Sequence, residues 1–233
     1  MAPAHKKMMN MTDKNQTLVT DQLAQYYACC AQSYERVYQI PERQPELAQL
    51  NEKVGEILRG HKVLEIACGT GYWTGTIGTS AASVLATDIN QEMLDVASVR
   101  VPADGKVEFS LANAFDLPDA IGSFTACFAG FWWSHVKRED QERFLAQLRA
   151  KLGRDVLLVL IDNSYVEGSS TSIARTDAEG NTYQIRRIPD GTRYEVLKNF
   201  PSDSTLRKKI GSSVREIRIL RLEYYWLLSC RLK

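Results

Sequence analysis

The chain has 233 residues, 44 % of them apolar and 24 % charged, with a formal net charge of +1. That is enough for one sizeable domain with a small appendage, and the near-neutral balance argues against the strongly basic surface of a nucleic-acid binder. No stretch approaches the ~18 consecutive apolar residues of a membrane span, and five cysteines without a CxxC pair outline neither a disulfide framework nor a zinc site.

The N-terminal "MAPAHKKMMNMTDKN" lacks the apolar centre of a secretion signal, and residues 1–14 are set aside as a leader or cloning scar. With unpaired cysteines, this makes a cytoplasmic protein the expectation. Residues 15–40 read as one or two helices, with Leu23, Tyr26, Tyr27, Cys30, Tyr34 and Tyr38 recurring at three- and four-residue steps until Pro41 and Pro45 break the segment. "ELAQLNEKVGEILRG" is an amphipathic helix with Leu47, Leu50, Val54, Ile57 and Leu58 on one side and Gly60 as its stop. Residues 15–59 therefore form an N-terminal helical unit, and 60–233 the main domain.

From there strand and helix alternate. "KVLEIAC", "SVLATD", "VEFSLAN", "FTACFAGF" and "DVLLVLID" are strand-like, with helices at "GYWTGTIGTS", "NQEMLDVASVR" and "REDQERFLAQLRAKL". Several of these strands are continuous apolar runs, as a parallel sheet covered on both faces requires. Such alternation implies right-handed βαβ units, an α/β fold. After Asn163 the turn signals "EGN" and "DGT" separate short alternating runs, which read as a small β excursion over residues 164–200. "PSDSTLRKKIGSS" is a helix, and "EIRILRLEYYWLLSCRL" a final strand or strand pair.

"VLEIACGTGYWT" (63–74) places Gly69 and Gly71 between a strand and a helix, the arrangement of a nucleotide-cradling turn. The third glycine of the dinucleotide fingerprint is replaced by Thr74, and Glu65 lies inside the strand. Asp88 ends the second strand, where an acid accepts hydrogen bonds from ribose hydroxyls. Asn113, Ala114 and Phe115 end the third, an amide and a ring within reach of an adenine. His135 follows the fourth strand, on the side where open α/β sheets bind ligands. His5 lies in the leader, and His61 precedes the first strand, at the opposite end.

"EIACGTG" (65–71), "TDINQEML" (87–94), "ANAFDLP" (112–118) and "FAGFWWSHV" (128–136) resemble, in order, the motifs of the class I S-adenosylmethionine (SAM)-dependent methyltransferases, most closely those of small bacterial natural-product or metabolite enzymes. "AQYYACCAQSYERVY" (24–38) resembles the N-terminal helix of many small-molecule members, with Ala28 and Glu35 at its two acidic positions. The resemblance implies a Rossmann-like, seven-stranded, mostly parallel sheet of order 3-2-1-4-5-7-6 with the last strand antiparallel, and an N-terminal helical lid over SAM. It implies that Ala67 to Gly71 pass under the methionine part of SAM, with Glu65 orienting that loop or accepting from the ammonium. Asp88 would hold the ribose. Ile89 and Met93 would pack on the adenine face, with Asn113, Ala114 and Phe115 at its edge. Gly130 would lie beside the sulfonium, and Tyr27 would reach the cofactor from the lid. The acceptor, a small molecule, would meet Tyr34, Tyr38, Phe131, Trp132, Asn163 and Tyr165, with His135 as candidate general base. Neither a metal nor a nucleic-acid partner is expected, and the oligomeric state is left open.

Each assignment has a plainer counterpart. Ile89, Met93 and Phe115 suit a core as well, His135 could cap or pack the next helix, and any one ring of Tyr26, Tyr27, Tyr34, Tyr38, Trp132 and Trp133 could be ordinary packing. Three functions stay in play: methyl transfer to an N, O or C nucleophile giving S-adenosylhomocysteine (SAH), SAM cyclisation or lysis releasing methylthioadenosine, and SAM binding without catalysis.

Overall fold

The computed structural model describes residues 22–102 and 105–233; the expected leader, 1–14, lies outside them. Residues 22–30 form helix α1, followed by 3-10 turns at Ala31–Tyr38 and Pro41–Arg43. Helix α2 is Gln44–Ile57, and it buries Leu47, Leu50 and Val54 at helical spacing. The segment over residues 15–40 ends before Pro41 as expected, with the 3-10 helix stopping at Tyr38 and Ile40 extended, whereas Pro45, expected as a breaker, lies inside a helix. Pro41 opens the second 3-10 turn and Pro45 sits in the first turn of α2, where a missing N–H costs nothing.

The central sheet contains β1 (Lys62–Ile66), β2 (Ser83–Asp88), β3 (Val107–Leu111), β4 (Ala126–Gly130), β5 (Leu157–Asn163), β9 (Val214–Arg221) and β10 (Tyr225–Leu232). Its order is β3-β2-β1-β4-β5-β10-β9, the order 3-2-1-4-5-7-6 once its own strands are counted. Strands β1 to β5 pair in parallel, and β10 runs antiparallel to both β5 and β9. Helices α3 (Tyr72–Ser80), α4 (Gln91–Arg100) and α5 (Gln141–Leu152) cross between the parallel strands, and α6 (Asp203–Ile210) precedes β9. Ser202 caps α6 by accepting from the Thr205 N–H at 3.2 Å.

Burial follows the apolar runs. Leu64, Ile66, Cys127, Ala129, Leu158 and Leu160 face one core with α5, while Val63, Ala126, Phe128, Val159 and Ile161 face the other with α2 and α3. Period-2 alternation in strands that are apolar throughout thus feeds two cores from one sheet. Edge strand β9 instead alternates charged and apolar residues, with Arg215, Glu216 and Arg221 exposed.

A second, three-stranded antiparallel sheet joins β6 (Arg175–Thr176), β7 (Thr182–Arg187) and β8 (Arg193–Leu197). One buried hub holds it to the main sheet. The Asp162 carboxylate at the end of β5 accepts from the Ser134 N–H at 2.8 Å, the Ser134 hydroxyl at 3.0 Å and the Lys198 ammonium at 2.9 Å. Lys198 follows β8, and both partners are almost wholly buried. Asp162→Ala, which strands the Lys198 charge, is expected to lower the unfolding free energy by about 3–5 kcal/mol in urea titrations. Adding Lys198→Met should recover part of that loss, because the unpaired charge is then gone.

Candidate cofactor and acceptor site

The parallel order reverses between β1 and β4, so the loops after these strands diverge and leave a crevice at their carboxyl ends. The β1 loop is built from left-handed residues: Ala67 has φ 52°, Gly69 56° and Gly71 79°. A Cβ on Gly71 would meet Ala97 of α4 at 3.0 Å, so this glycine serves helix packing. A Cβ on Gly69 would meet nothing within 4 Å, which leaves that side of the loop open to a ligand. The loop is pinned to β2 by the Gly69 N–H, which donates to Asp88 Oδ2 at 2.9 Å, while Asp88 Oδ1 accepts from the Asn90 N–H at 2.9 Å. Burial raises the Asp88 pKa and these N–H groups pull it back. Each oxygen keeps a lone pair for a further donor.

Around the crevice the structure gathers Tyr27, Tyr34, Tyr38, Ala67, Gly69, Asp88, Ile89, Met93, Asn113, Ala114, Phe115, Gly130, Phe131, Trp132 and His135, all expected from sequence, together with Trp73. Asn113 Oδ1 accepts from the Phe115 N–H at 2.9 Å, which shapes the β3 loop. Gly130 is glycine because a Cβ would strike the Trp73 ring at 2.6 Å. Met93 is buried, whereas Ile89 is 41 % exposed, so the two do not share the core role open to both from sequence. Trp133 turns away into the core beside Phe144.

Four expected residues lie off the crevice wall, and one of them, Asn163, lines a neighbouring cavity instead. Gly71 caps α3, and Tyr165 packs edge-on against Phe200 at 5.2 Å. Glu65 is buried beneath the loop, and its Oε2 has no hydrogen-bond partner. Burial raises its pKa to about 8. Thr74 moderates that rise without completing a hydrogen bond, and the Asp88 charge adds to it.

A second cavity, about 410 Å³, opens beside the first. Tyr27, Tyr34, Tyr38 and Phe131 line both. Asn163, Gln184, Arg186, Lys198 and Phe200 line the second alone, so the 164–200 excursion supplies much of its wall. Tyr27, Tyr34 and Tyr38 form a ladder of edge-on rings 5.6 and 6.0 Å apart, and Tyr38 stacks flat on Tyr72 at 3.8 Å. Burial raises the pKa of all three, so they stand as neutral phenols at physiological pH. Glu35 ties the ladder to the cofactor side, accepting from the Thr70 hydroxyl of the β1 loop and pairing with Arg100 of α4.

His135 lines the crevice and touches Tyr27 of the wall both cavities share. Its Nδ1 contacts the Leu197 carbonyl at 2.5 Å and its Nε2 the Tyr27 hydroxyl at 2.9 Å. A carbonyl only accepts, so Nδ1 carries the proton and Nε2 accepts from Tyr27. Burial, reinforced by the Lys198 and Arg186 charges, holds its pKa well below 6.5. Nothing in the His135 neighbourhood of the sequence announces Leu197 or Tyr27, which are 62 and 108 residues away. Arg186 and Gln184 were also missed. Their signal is the shared parity of polar positions 182, 184 and 186 in an otherwise half-buried strand.

Comparison with known proteins agrees with this geometry. A family model described as a methyltransferase domain matches residues 63–155. Methyltransferase GfsG of Streptomyces halstedii is 29 % identical over 205 residues, covering 86 % of this chain and 69 % of that one. A demethylmenaquinone methyltransferase of Clavibacter sepedonicus is 39 % identical over 77 residues, covering 33 % of this chain and 31 % of that one. Among solved structures, a DhpI–SAH complex has the same fold with a TM-score of 0.75 at 23 % identity, covering 92 % of this chain and 97 % of that one. In its matched methyltransferase domain and in its fold the chain is similar to class I SAM-dependent methyltransferases. Among the described residues no helix is long and apolar enough to cross a membrane, and no cluster of His, Cys, Asp and Glu is placed to hold a metal.

The Glu65 shift has a measurable sign. Its folded pKa, about 8, lies above the unfolded value, so its stabilising contribution is complete below pH ~4.5 and is lost as pH rises through about 8. The stability of Glu65→Gln relative to the parent should therefore climb between pH 5 and pH 8 and level off above, in thermal unfolding of the ligand-free chain. A difference independent of pH would mean that Glu65 is ionised throughout.

Proposed function

We propose that the chain transfers the methyl group of SAM to a small-molecule acceptor held in the second cavity, with transfer across the wall of Tyr27, Tyr34, Tyr38 and Phe131. The observation that carries this reading is the shared wall itself: the crevice with Asp88 and the open Gly69 face meets a separate cavity only across these rings. When bound, SAM supplies an electrophilic methyl carbon on a sulfonium whose leaving group is a neutral thioether.

The residues suit the cofactor. Asp88 would hold the ribose hydroxyls with its remaining lone pairs, and Asn113 to Phe115 the adenine edge, with Met93 and Ile89 against its face. Ala67 and Gly69 would pass beneath the methionine part. The unpartnered Glu65 Oε2 beneath them suits an ammonium above the loop, directly or through water. Gly130 would stand near the sulfonium. The lid comprising residues 15–59, so far as it is described, places neutral rings over both cavities, which excludes water from the reacting atoms. Alignment of the two ligands is the larger contribution, roughly 7–11 kcal/mol of the barrier when geometry is right.

His135 is given a positioning role. Its neutral ring fixes the Tyr27 hydroxyl through Nε2 and is itself fixed by Leu197. For an acceptor that must lose a proton, the same pair offers a path from substrate to Tyr27 to Nε2. No reading other than methyl transfer gains a specific observation.

Asp88→Ala is expected to weaken SAM and SAH binding by more than about tenfold in calorimetry. Unchanged affinity would remove the ribose assignment. Incubating the protein with SAM and no acceptor should leave SAM intact by mass spectrometry. Methylthioadenosine accumulating over many turnovers would replace transfer with cyclisation or lysis. Once an acceptor is found, His135→Ala should lower kcat about 10- to 100-fold with KM for SAM little changed. The parent's pH–rate profile should show no inflection near 6.5, because the depressed pKa keeps His135 neutral from there upward.

A further inference from the structure

The second cavity is lined by Arg43, Arg186, Arg187 and Lys198, and no aspartate or glutamate lines it. Lys198 is neutralised by Asp162. Arg186 is not: among the described residues it forms no ion pair. Its Nη1 donates to the Tyr27 hydroxyl at 3.4 Å and its Nη2 to Gln184 Oε1 at 3.1 Å, both neutral acceptors, and its head lies over the Tyr26 ring at 5.6 Å. Its Nε is buried with no acceptor at all. Arg43 repeats the pattern. Its Nη2 donates to the Ser169 carbonyl and hydroxyl at 3.1 and 2.9 Å, and its Nε is likewise buried and unpartnered. A guanidinium has five N–H donors arranged to grip an oxyanion in pairs. Burying such a charge without an anion is costly, and an isolated chain recovers that cost only when something anionic arrives. Ordinary core or lid packing has no need of two under-satisfied arginines facing one cavity.

Resting on the methyl-transfer reading above, we propose that the acceptor carries an oxyanion, a carboxylate or a phosphorus oxyacid, and that Arg186 is its main partner with Arg43 as a second. The hydrogen bond from Arg186 to Tyr27, a residue of the shared wall, places that anion at the cofactor side of the cavity rather than at its outer mouth. Gln184 and Tyr27 hold the guanidinium in place. Selection against neutral analogues follows, since they leave the buried Nε of both arginines without an acceptor.

The test uses the full chain saturated with SAH at constant ionic strength. Benzoate, phenylphosphonate and the neutral benzamide are titrated by calorimetry and by saturation-transfer NMR. One or both anions should bind at least about tenfold more tightly than benzamide, a difference of ~1.4 kcal/mol, and the stronger of the two identifies carboxylate or phosphorus chemistry. Arg186→Gln should abolish that preference while SAH binding stays intact, Arg186→Lys should restore part of it, and the surface variant Arg59→Gln should leave it unchanged. Should Arg186→Gln fail to bind SAH, Arg43→Gln takes its place, with an expected loss of severalfold in anion affinity. Equal binding of benzamide and the anions, or anion binding indifferent to both arginine variants, would overturn the proposal while leaving methyl transfer standing. Failure of the parent chain to bind SAH would instead strike the methyl-transfer reading itself.

Discussion

The hydrogen bond from the Gly69 N–H to the Asp88 carboxylate is the constraint on which the rest of the site hangs. It joins the loop after β1 to the end of β2, beside the crevice that opens where the strand order reverses between β1 and β4. To make it, the β1 loop must run through left-handed residues at Ala67 and Gly69, which turns the Gly69 face outward and leaves Glu65 sealed below. The same loop presents the Thr70 hydroxyl to Glu35, so the position of the lid segment is set by the geometry of the cofactor loop rather than by lid packing alone. Without the Asp88 acceptor the Gly69 amide would be orphaned, and a buried unmade bond of that kind costs about 1–3 kcal/mol. The residue that would hold the ribose therefore also builds the floor beneath it.

Charge is distributed unequally between the two cavities. The cofactor side ends in carboxylates, Asp88 and the protonatable Glu65, which suits a ligand with a sulfonium and an ammonium. The second cavity is lined by arginines and closed by neutral phenols. Between them His135 is kept uncharged by burial and by the cations behind it. A positive ring there would repel both Arg186 and a sulfonium, so its low pKa serves the electrostatics of the junction as much as any proton transfer.

Much of this was legible from the chain alone. Continuous apolar strands, turn glycines and the placement of Glu65, Asp88 and Asn113 relative to them fixed the parallel sheet and the cofactor side. These signals are local: strand period, turn conformation and a side chain at a strand end all lie within a few residues of one another. The expected wall residues converge on the crevice for that reason. The exceptions are residues whose type is set by packing around the site, such as Gly71 against Ala97. Pro45 was misread because proline at the start of a helix and proline that ends one have the same local appearance.

What the chain determined by itself, then, is the class of fold and the loop that receives the cofactor. Only the tertiary structure decided the second cavity. The Tyr27–His135–Leu197 relay, the Asp162–Lys198 hub and the unpaired Arg186 each join residues tens to more than a hundred positions apart. The physical reason is that a hydrogen-bonding or charged side chain has no sign of its own in sequence for whether it will be satisfied. Arg175, paired with Glu195, and Arg186, paired with nothing anionic among the described residues, lie eleven positions apart around one short sheet. Which of them is left without an anionic partner depends on where the chain puts the nearest carboxylate.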